Sequence, residues 1–252
     1  MKTRNDASNK KVHTYNLLEP LRDVATAEVD VNVSDGNLMM DGLTSDETML
    51  ACGTLEYTEK QGLPWRSMNV SNGQASLTLK ASSTGQPWFR LPWAACNGAT
   101  EWQIHLNPHV PADINAHSGG GNVKLDLSSI AITHLSAGTG GGNMEVILPD
   151  NASNLDVNAE TGAGNVSVEI GSHLSGNNIV NVSSGAGKVI VRVPGGIAAR
   201  IHASSGWGKG IVDSRFSKID ANTYQSPDYD AAADKVQITA KSGAGDVIIN
   251  SN

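Results

Sequence analysis

The chain has 252 residues and a formal net charge of −7, with 18 Lys+Arg set against 25 Asp+Glu and no basic stripe among them. That balance excludes a nucleic-acid partner, which needs clustered cations along the phosphates. No run approaches the roughly 18 apolar residues of a membrane-spanning helix, and the low charged fraction of 17% is made up by Gly, Ser, Asn and Thr, the residues of tight turns between short strands.

Residues 1–26 read as a tail or an edge strand, with Leu17, Leu18 and Leu21 interrupted by Pro20. Lys2, Arg4, Lys10 and Lys11 precede no apolar run, so no signal peptide is expected; a tethering segment outside this sequence stays open. From Ala27 the pattern has period two. Val29, Val31 and Val33 alternate with Asp30 and Asn32, which predicts a half-buried strand. Ser34-Asp35-Gly36-Asn37 follows, and Asp-Gly between alternating runs predicts a hairpin returning through Leu38 and Met40. A strand is expected over 49–57, and a second hairpin about Asn72-Gly73 returns through Ala75, Leu77 and Leu79. Trp102, Ile104 and Leu106 alternate again before Pro108 and Pro111. Residues 27–112 are therefore expected to form an antiparallel β-domain. Its Tyr57, Trp65, Trp88, Phe89, Trp93 and Trp102 supply core bulk rather than a sugar-stacking platform.

Residues 113–252 repeat. Gly-x-Gly recurs at Gly119, Gly140, Gly162, Gly185, Gly206 and Gly243, at intervals of 21, 22, 23, 21 and 37. Five residues ahead of each lie Ile114, Leu135, Val157, Val180, Ile201 and Ile238, and two further on Ala116, Ala137, Ala159, Val182, Ala203 and Ala240. After the turn come Val123, Met144, Val166, Val189, Gly210 and Val247, then Leu125, Val146, Val168, Val191, Val212 and Ile249. Such columns arise when successive coils stack in register around one dry interior, each strand pairing with its counterpart one coil away. The fold class is thus all-β: a parallel β-solenoid of coils of about 22 residues behind the antiparallel N-terminal domain that caps it. Glycine, free to take positive φ, is expected to reverse the chain at each coil. The long final interval places an insertion near 215–235.

The ordered series Val123-Lys124-Leu125-Asp126-Leu127-Ser128, the Gly138–Asn143 turn and Val146-Ile147-Leu148-Pro149 resembles the bacterial toast-rack family. Ahead of it, Ala27–Val33, Gly36–Met40, Leu55-Glu56-Tyr57 and Trp102–Leu106 are similar to that family's N-terminal domain. The resemblance implies a β-solenoid behind a β-rich cap. It also implies kinship with LiaF-like proteins of the envelope stress response, which are commonly attached to membrane segments. It carries no catalytic residues.

No chemical constellation emerges. The glycine turns lead into strands, not helices, so they are not dinucleotide loops. Asn122, Asn143, Asn165, Lys188, Lys209 and Asp246 follow the turns, and two cations among six do not make a calcium series. Asp126, Asp156, Glu160, Glu169 and Asp213, with Arg192 and Arg200, fall in different columns, which leaves a carbohydrate-active β-helix enzyme as the weakest of three readings. The seven histidines are dispersed, and Pro108 forbids a helical pair of His105 and His109. No cofactor and no metal are expected. Cys52 and Cys96 are too few to define a disulfide framework; they read either as one disulfide, were the protein outside the cytoplasm, or as two free, mostly buried thiols. Tyr224 and Tyr229, on the acidic insertion, are the best candidates for contact with a partner, an unknown protein or surface ligand, against the plainer reading of a passive surface loop. The leading expectation is a non-enzymatic interaction or stress-sensing module of the cell envelope, and the second a structural or adhesive surface protein.

Overall fold

The alternation of apolar and polar residues decides which way each side chain points, because successive Cβ atoms of a strand lie on opposite faces. A computed structural model describes residues 11–44, 48–82 and 100–251. The upstream strands are β1 (Val12–Pro20), β2 (Thr26–Val33), β3 (Gly36–Gly42), β4 (Met49–Thr58), β5 (Trp65–Ser71), β6 (Gln74–Lys80) and β7 (Thr100–Leu106). The repeats contribute β8 (Ala112–Ser118), β9 (Val123–Asp126), β10 (Ile132–Gly141), β11 (Met144–Ile147), β12 (Asn151–Ser153), β13 (Asp156–Ala163), β14 (Val166–Glu169), β15 (His173–Ser175), β16 (Asn177–Ala186) and β17 (Val189–Val193). The chain closes with β18 (Ala198–Ser205), β19 (Gly210–Val212), β20 (Ser217–Lys218), β21 (Thr223–Gln225), β22 (Lys235–Ala244) and β23 (Val247–Ser251). No helix among the described residues is long and apolar enough to cross a membrane.

Two large sheets face each other. One has ten strands in the order β1-β4-β7-β3-β9-β11-β14-β17-β23-β19, the other eleven in the order β20-β21-β18-β22-β16-β13-β10-β8-β2-β6-β5. Each coil runs along the eleven-stranded sheet, turns at its Gly-x-Gly corner and returns through the ten-stranded one. The apolar columns are real and dry. Ile114 pairs with Leu135, Leu135 with Val157, Val157 with Val180, Val180 with Ile238 and Ile238 with Ile201. None of these six is more than 2% exposed, and burial of each contributes roughly 1.5–3 kcal/mol.

Three expectations need correction. The Asp35-Gly36 hairpin does not form: β2 and β3 lie in opposite sheets, and the turn is a solenoid corner. β2 pairs in parallel with β6 and β8, and β3 in parallel with β7 and β9, so coil stacking begins upstream of residue 113. Among the strands upstream of β8, antiparallel pairing is confined to β1–β4–β7 and the hairpin β5–β6, whose Asn72 and Gly73 sit at φ of 52° and 78° as the Asn-Gly turn predicts.

Finally, spatial order departs from chain order. The chain leaves β17, skips one level to build β18–β19, and then returns so that β22–β23 fill the gap. The insertion folds as the β20–β21 hairpin, antiparallel to β18, at the end of the stack. At the other end β2–β3 are likewise sandwiched between β6–β7 and β8–β9. Both terminal coils in sequence are thereby paired on two sides, which protects them from fraying.

Candidate interaction surface

The glycine corners are held by close approach more than by reversal. A Cβ on Gly162, Gly185 or Gly243 would sit 2.5 Å from the carbonyl oxygen of the equivalent glycine one level below. The second glycine of each corner meets the same obstacle, and Gly142, Gly164, Gly187 and Gly245 also lie at positive φ between 147° and 156°. Side-chain hydrogen bonds weave through these corners in two ladders. The Ser or Thr before each first glycine points inward and donates to the carbonyl of the second glycine of the neighbouring coil. Ser118 bonds Gly36, Thr139 bonds Gly121, Thr161 bonds Gly142, Ser184 bonds Gly164, Ser242 bonds Gly187 and Ser205 bonds Gly245, all at 2.7–3.0 Å. These hydroxyls, buried on every level but that of half-buried Ser205, satisfy carbonyls that the corner geometry leaves without a strand partner.

The residue after each corner forms the second ladder. Oδ1 of Asn37, Asn122, Asn143 and Asn165 accepts the backbone N–H of Asn122, Asn143, Asn165 and Lys188 in turn, at 2.9–3.0 Å. The interleaved coil order then places Asp246 between Lys188 and Lys209, and Asp246 Oδ1 accepts the Lys209 N–H at 3.0 Å. The residues that read as a failed calcium series are thus structural rungs.

Outside the corners, the eleven-stranded sheet presents a continuous polar column. Thr78, Asp30, Asn115, Ser136, Asn158, Asn181, Thr239 and His202 stand in register on adjacent strands, all but His202 half-buried. At a strand spacing of about 4.8 Å the column runs for about 34 Å. Beside it, a shallow trough of about 440 Å³ open to solvent is lined by His117, Thr139, Glu160, Thr161 and Ser183 around a floor at Gly138. A side chain at Gly138 would collide with the His117 ring, so glycine keeps the trough open between His117 and Glu160.

The middle residue of the corner is small on most levels: Gly120, Gly141, Ala163, Ala186 and Ala244. On the outermost level it is Trp207, 92% exposed. Sequence reading passed over this ring because it sits inside an otherwise ordinary repeat; the signal was a bulky residue where every counterpart is Gly or Ala.

The insertion does not offer its tyrosines as expected. Tyr229 is 4% exposed, beneath the Arg200 guanidinium at 4.5 Å and the Lys235 ammonium at 5.3 Å. Tyr224 is half-buried against the core, with Lys218 at 5.8 Å from its ring. Both rings anchor the hairpin instead of projecting from it. Arg215 caps the same end, donating to the carbonyls of Gly195 at 2.5 Å and Ile197 at 3.4 Å over the Phe216 ring, and burial lowers its pKa. Asp220 is held below the usual carboxylate range, first by the backbone N–H of Asn222 and then by Thr223.

Cys52 is half-buried in β4, and Cys96 lies outside the described residues, as do Trp88, Phe89 and Trp93. Trp102 is a core residue, its Nε1 donating to the Glu56 carbonyl at 2.9 Å, whereas Trp65 is 53% exposed. His105 pairs with Asp41, and His134 lies 3.9 Å from Asp156. Among the described residues, no three His, Cys, Asp or Glu side chains gather as a metal site. Arg192 reaches Ser167 at 3.0 Å, and Asp156 and Glu160 occupy different columns on the outer face of the eleven-stranded sheet.

The family model for the N-terminal domain of toast_rack (DUF2154) matches residues 3–169. A search of curated proteins finds no match. Among solved structures, the chain is similar to a candidate cell adhesion protein from Clostridium sporogenes, with 22% identity over 96% of this chain and 100% of the other, at a TM-score of 0.69. A candidate adhesin from Bacteroides fragilis aligns over 95% of this chain and 97% of its own length, at 10% identity and a TM-score of 0.32.

Proposed function

This chain belongs to the toast-rack family, and for it we propose a non-enzymatic role as an adhesive contact module of the cell envelope that holds an extended surface polymer. The observation that carries the reading is the polar column along the eleven-stranded sheet. Its amides and hydroxyls recur on adjacent strands, and each is half-buried between its neighbours, which narrows its freedom before any ligand arrives. A ligand that engages them therefore costs little additional side-chain entropy. Asn, Ser and Thr both donate and accept hydrogen bonds, which suits a chain rich in hydroxyl or amide groups. Glu160 and His117 bracket the trough, where the missing side chain of Gly138 leaves room for a ring. At the end of the stack, Trp207 offers an apolar face on which a sugar ring can stack.

The resemblance to envelope proteins supports an extracytoplasmic setting, and the likeness to the Clostridium protein, itself a candidate cell adhesion protein, is in keeping with adhesion. The test is titration of the intact protein with soluble fragments of cell-wall and capsular polysaccharides. Asn158→Arg and Asn181→Arg are expected to weaken binding at least about tenfold with unchanged melting temperature, since each inserts a long cation into the column. Binding that both variants leave intact, or no binding to any surface polymer tested, refutes the reading. Antibody access to the protein on intact cells tests the compartment.

A further inference from the structure

The polymer-binding face belongs to the eleven-stranded sheet, and the outer face of the ten-stranded sheet carries chemistry of its own. There β1, β4, β7 and β3 lie side by side, and one row across them reads Leu18, Cys52, His105 and Asp41. Alternation places this row outside, since Leu17, Ala51, Ile104 and Met40, the preceding residues on the same four strands, are buried. A thiol, an imidazole and a carboxylate that are far apart in the sequence thus stand on three neighbouring strands.

His105 lies directly opposite Cys52 in an antiparallel pair, where Cβ atoms are about 4.5–5.5 Å apart. On its other side, its Nδ1 is hydrogen-bonded to Asp41 Oδ1. An ionised carboxylate only accepts, so Nδ1 carries the proton and Nε2 keeps its lone pair. With Nδ1 turned toward β3, the other edge of the ring, Cδ2 and Nε2, lies on the β4 side, where Cys52 stands. The order is nucleophile, base and orienting carboxylate, the order that activates a thiol. The three form a row and not a cage, in keeping with the lack of a metal cluster among the described residues. Cys52 is half-buried, while the His105 and Asp41 side chains are 38% and 49% exposed, so a small molecule reaches the thiol beside exposed Leu18. Along the same face, β1 adds Asn16, β4 adds Thr54 and β7 adds Gln103, all uncharged. Strand β9, beyond Asp41, brings Lys124, 3.8 Å from Glu145, and Asp126, which accepts from Ser128.

We propose that Cys52 is a thiol–disulfide exchange site that takes up one half of a small-molecule disulfide, with His105 as its base and Asp41 as the residue that positions His105. Nε2 of His105 takes the proton of the thiol, and the Cys52 sulfur attacks one sulfur of the disulfide. A new S–S bond forms at Cys52 as the old one breaks, and the departing thiolate takes the proton back from the imidazolium. One half of the disulfide is thereby reduced to a thiol, and Cys52 is oxidised to a mixed disulfide. The position of the thiol between Leu18 and His105 suits a small ligand, with Leu18 as an apolar contact for it. The site shares no residue with the polar column, so it is independent of polymer binding.

The test is reaction of the full chain with hydroxyethyl disulfide, which stays uncharged throughout the titration. Mass spectrometry of the peptide that carries Cys52 follows the mixed disulfide, so Cys96 does not contribute to the signal. Cys52 is expected to be modified, with the midpoint of its pH–rate profile at least about one unit below the value of about 8.5 for an ordinary thiol. His105→Gln should return the midpoint to that ordinary value, and Asp41→Asn should move it part of the way; loss of a merely structural contact would not move it. The midpoint is the readout because a more acidic thiol is also a weaker nucleophile, which mutes the rate at any single pH. Circular dichroism checks folding, and His105→Asn or Asp41→Ser replaces a variant that is not folded. A Cys52 that stays unmodified, a wild-type midpoint at the ordinary value, or a midpoint that the His105 variant leaves in place overturns the proposal.

Discussion

Gly141 and Gly142 are neighbours in one corner, yet the structure predicts opposite outcomes when each becomes alanine. A Cβ on Gly141 meets nothing within 4 Å, and alanine already fills the equivalent place at Ala163, Ala186 and Ala244. Gly141→Ala should therefore be neutral or stabilising by up to about 1 kcal/mol, through a less flexible unfolded chain. A Cβ on Gly142 would lie 2.5 Å from the Gly121 carbonyl carbon and closer still to its oxygen, at a φ of 150°. Relief requires the two coils to part by roughly 1 Å, since carbon atoms prefer 3.5–4.0 Å. Four hydrogen bonds join those coils at the corner: Gly121 N to Gly141 O and Val123 N to Asn143 O at 2.9 Å, Asn143 N to Asn122 Oδ1 at 2.9 Å, and Thr139 Oγ1 to Gly121 O at 2.8 Å. Weakening them at about 0.5–1.5 kcal/mol each, with about 1–3 kcal/mol for the φ, gives a loss of about 3–9 kcal/mol. In a chain of this length, at about 2 °C per kcal/mol, that lowers the melting temperature by roughly 6–18 °C. Thermal and urea unfolding of the two variants side by side measures it. Melting temperatures for Gly141→Ala and Gly142→Ala within about 2 °C of each other would refute the close-approach account, since 1 kcal/mol corresponds to at least that much.

Thr161→Val keeps the shape of the side chain but leaves the Gly142 carbonyl without its inward donor, and should cost about 1–3 kcal/mol by denaturant unfolding. Asp246→Lys removes the acceptor for the Lys209 N–H and lines up three lysines on adjacent rungs; a loss of about 1–3 kcal/mol, reduced by added salt, is expected by the same assay. Leu135→Ala, at a fully buried rung between Ile114 and Val157, should cost about 2–5 kcal/mol. Asp220 has a depressed pKa, so its contribution to the turn is present above the ordinary carboxylate range and is lost as pH falls through its folded value. The amide resonances of Asn222 and Thr223 should report that loss on acidification, and in Asp220→Asn they should not follow the same titration.

Much of the architecture is legible in the chain because it rests on local rules. Period-two alternation in Val29–Val33 or Val166–Val168 sorts side chains to two faces whatever the tertiary partner. The recurrence of Ile114, Leu135, Val157 and Val180 then requires the faces to stack. The Asn72-Gly73 hairpin is equally local, since its two positive φ values suit those residues. The Asp35-Gly36 corner misleads for the same reason: a dipeptide suited to a tight turn does not state whether the chain returns within one sheet or crosses to another. Tyr224 and Tyr229 look like contact residues on a polar loop, but cations on other elements, Arg200 among them, cover one ring and the core takes the other.

Alternation and repeat length alone required an all-β stack with a dry centre, because they determine which side chains leave water. They did not determine which coil lies beside which. Ile201 and Ile238 are equivalent in their column, but the returning strands are not: Val247 and Ile249 are fully buried on the inner level, while Gly210 is exposed and Val212 half-buried on the outermost one. Terms that exist only between folded coils act in the same direction: in the observed order Asp246 separates Lys188 from Lys209, the hairpin β20–β21 covers β18, and the last strands of the chain gain partners on both sides.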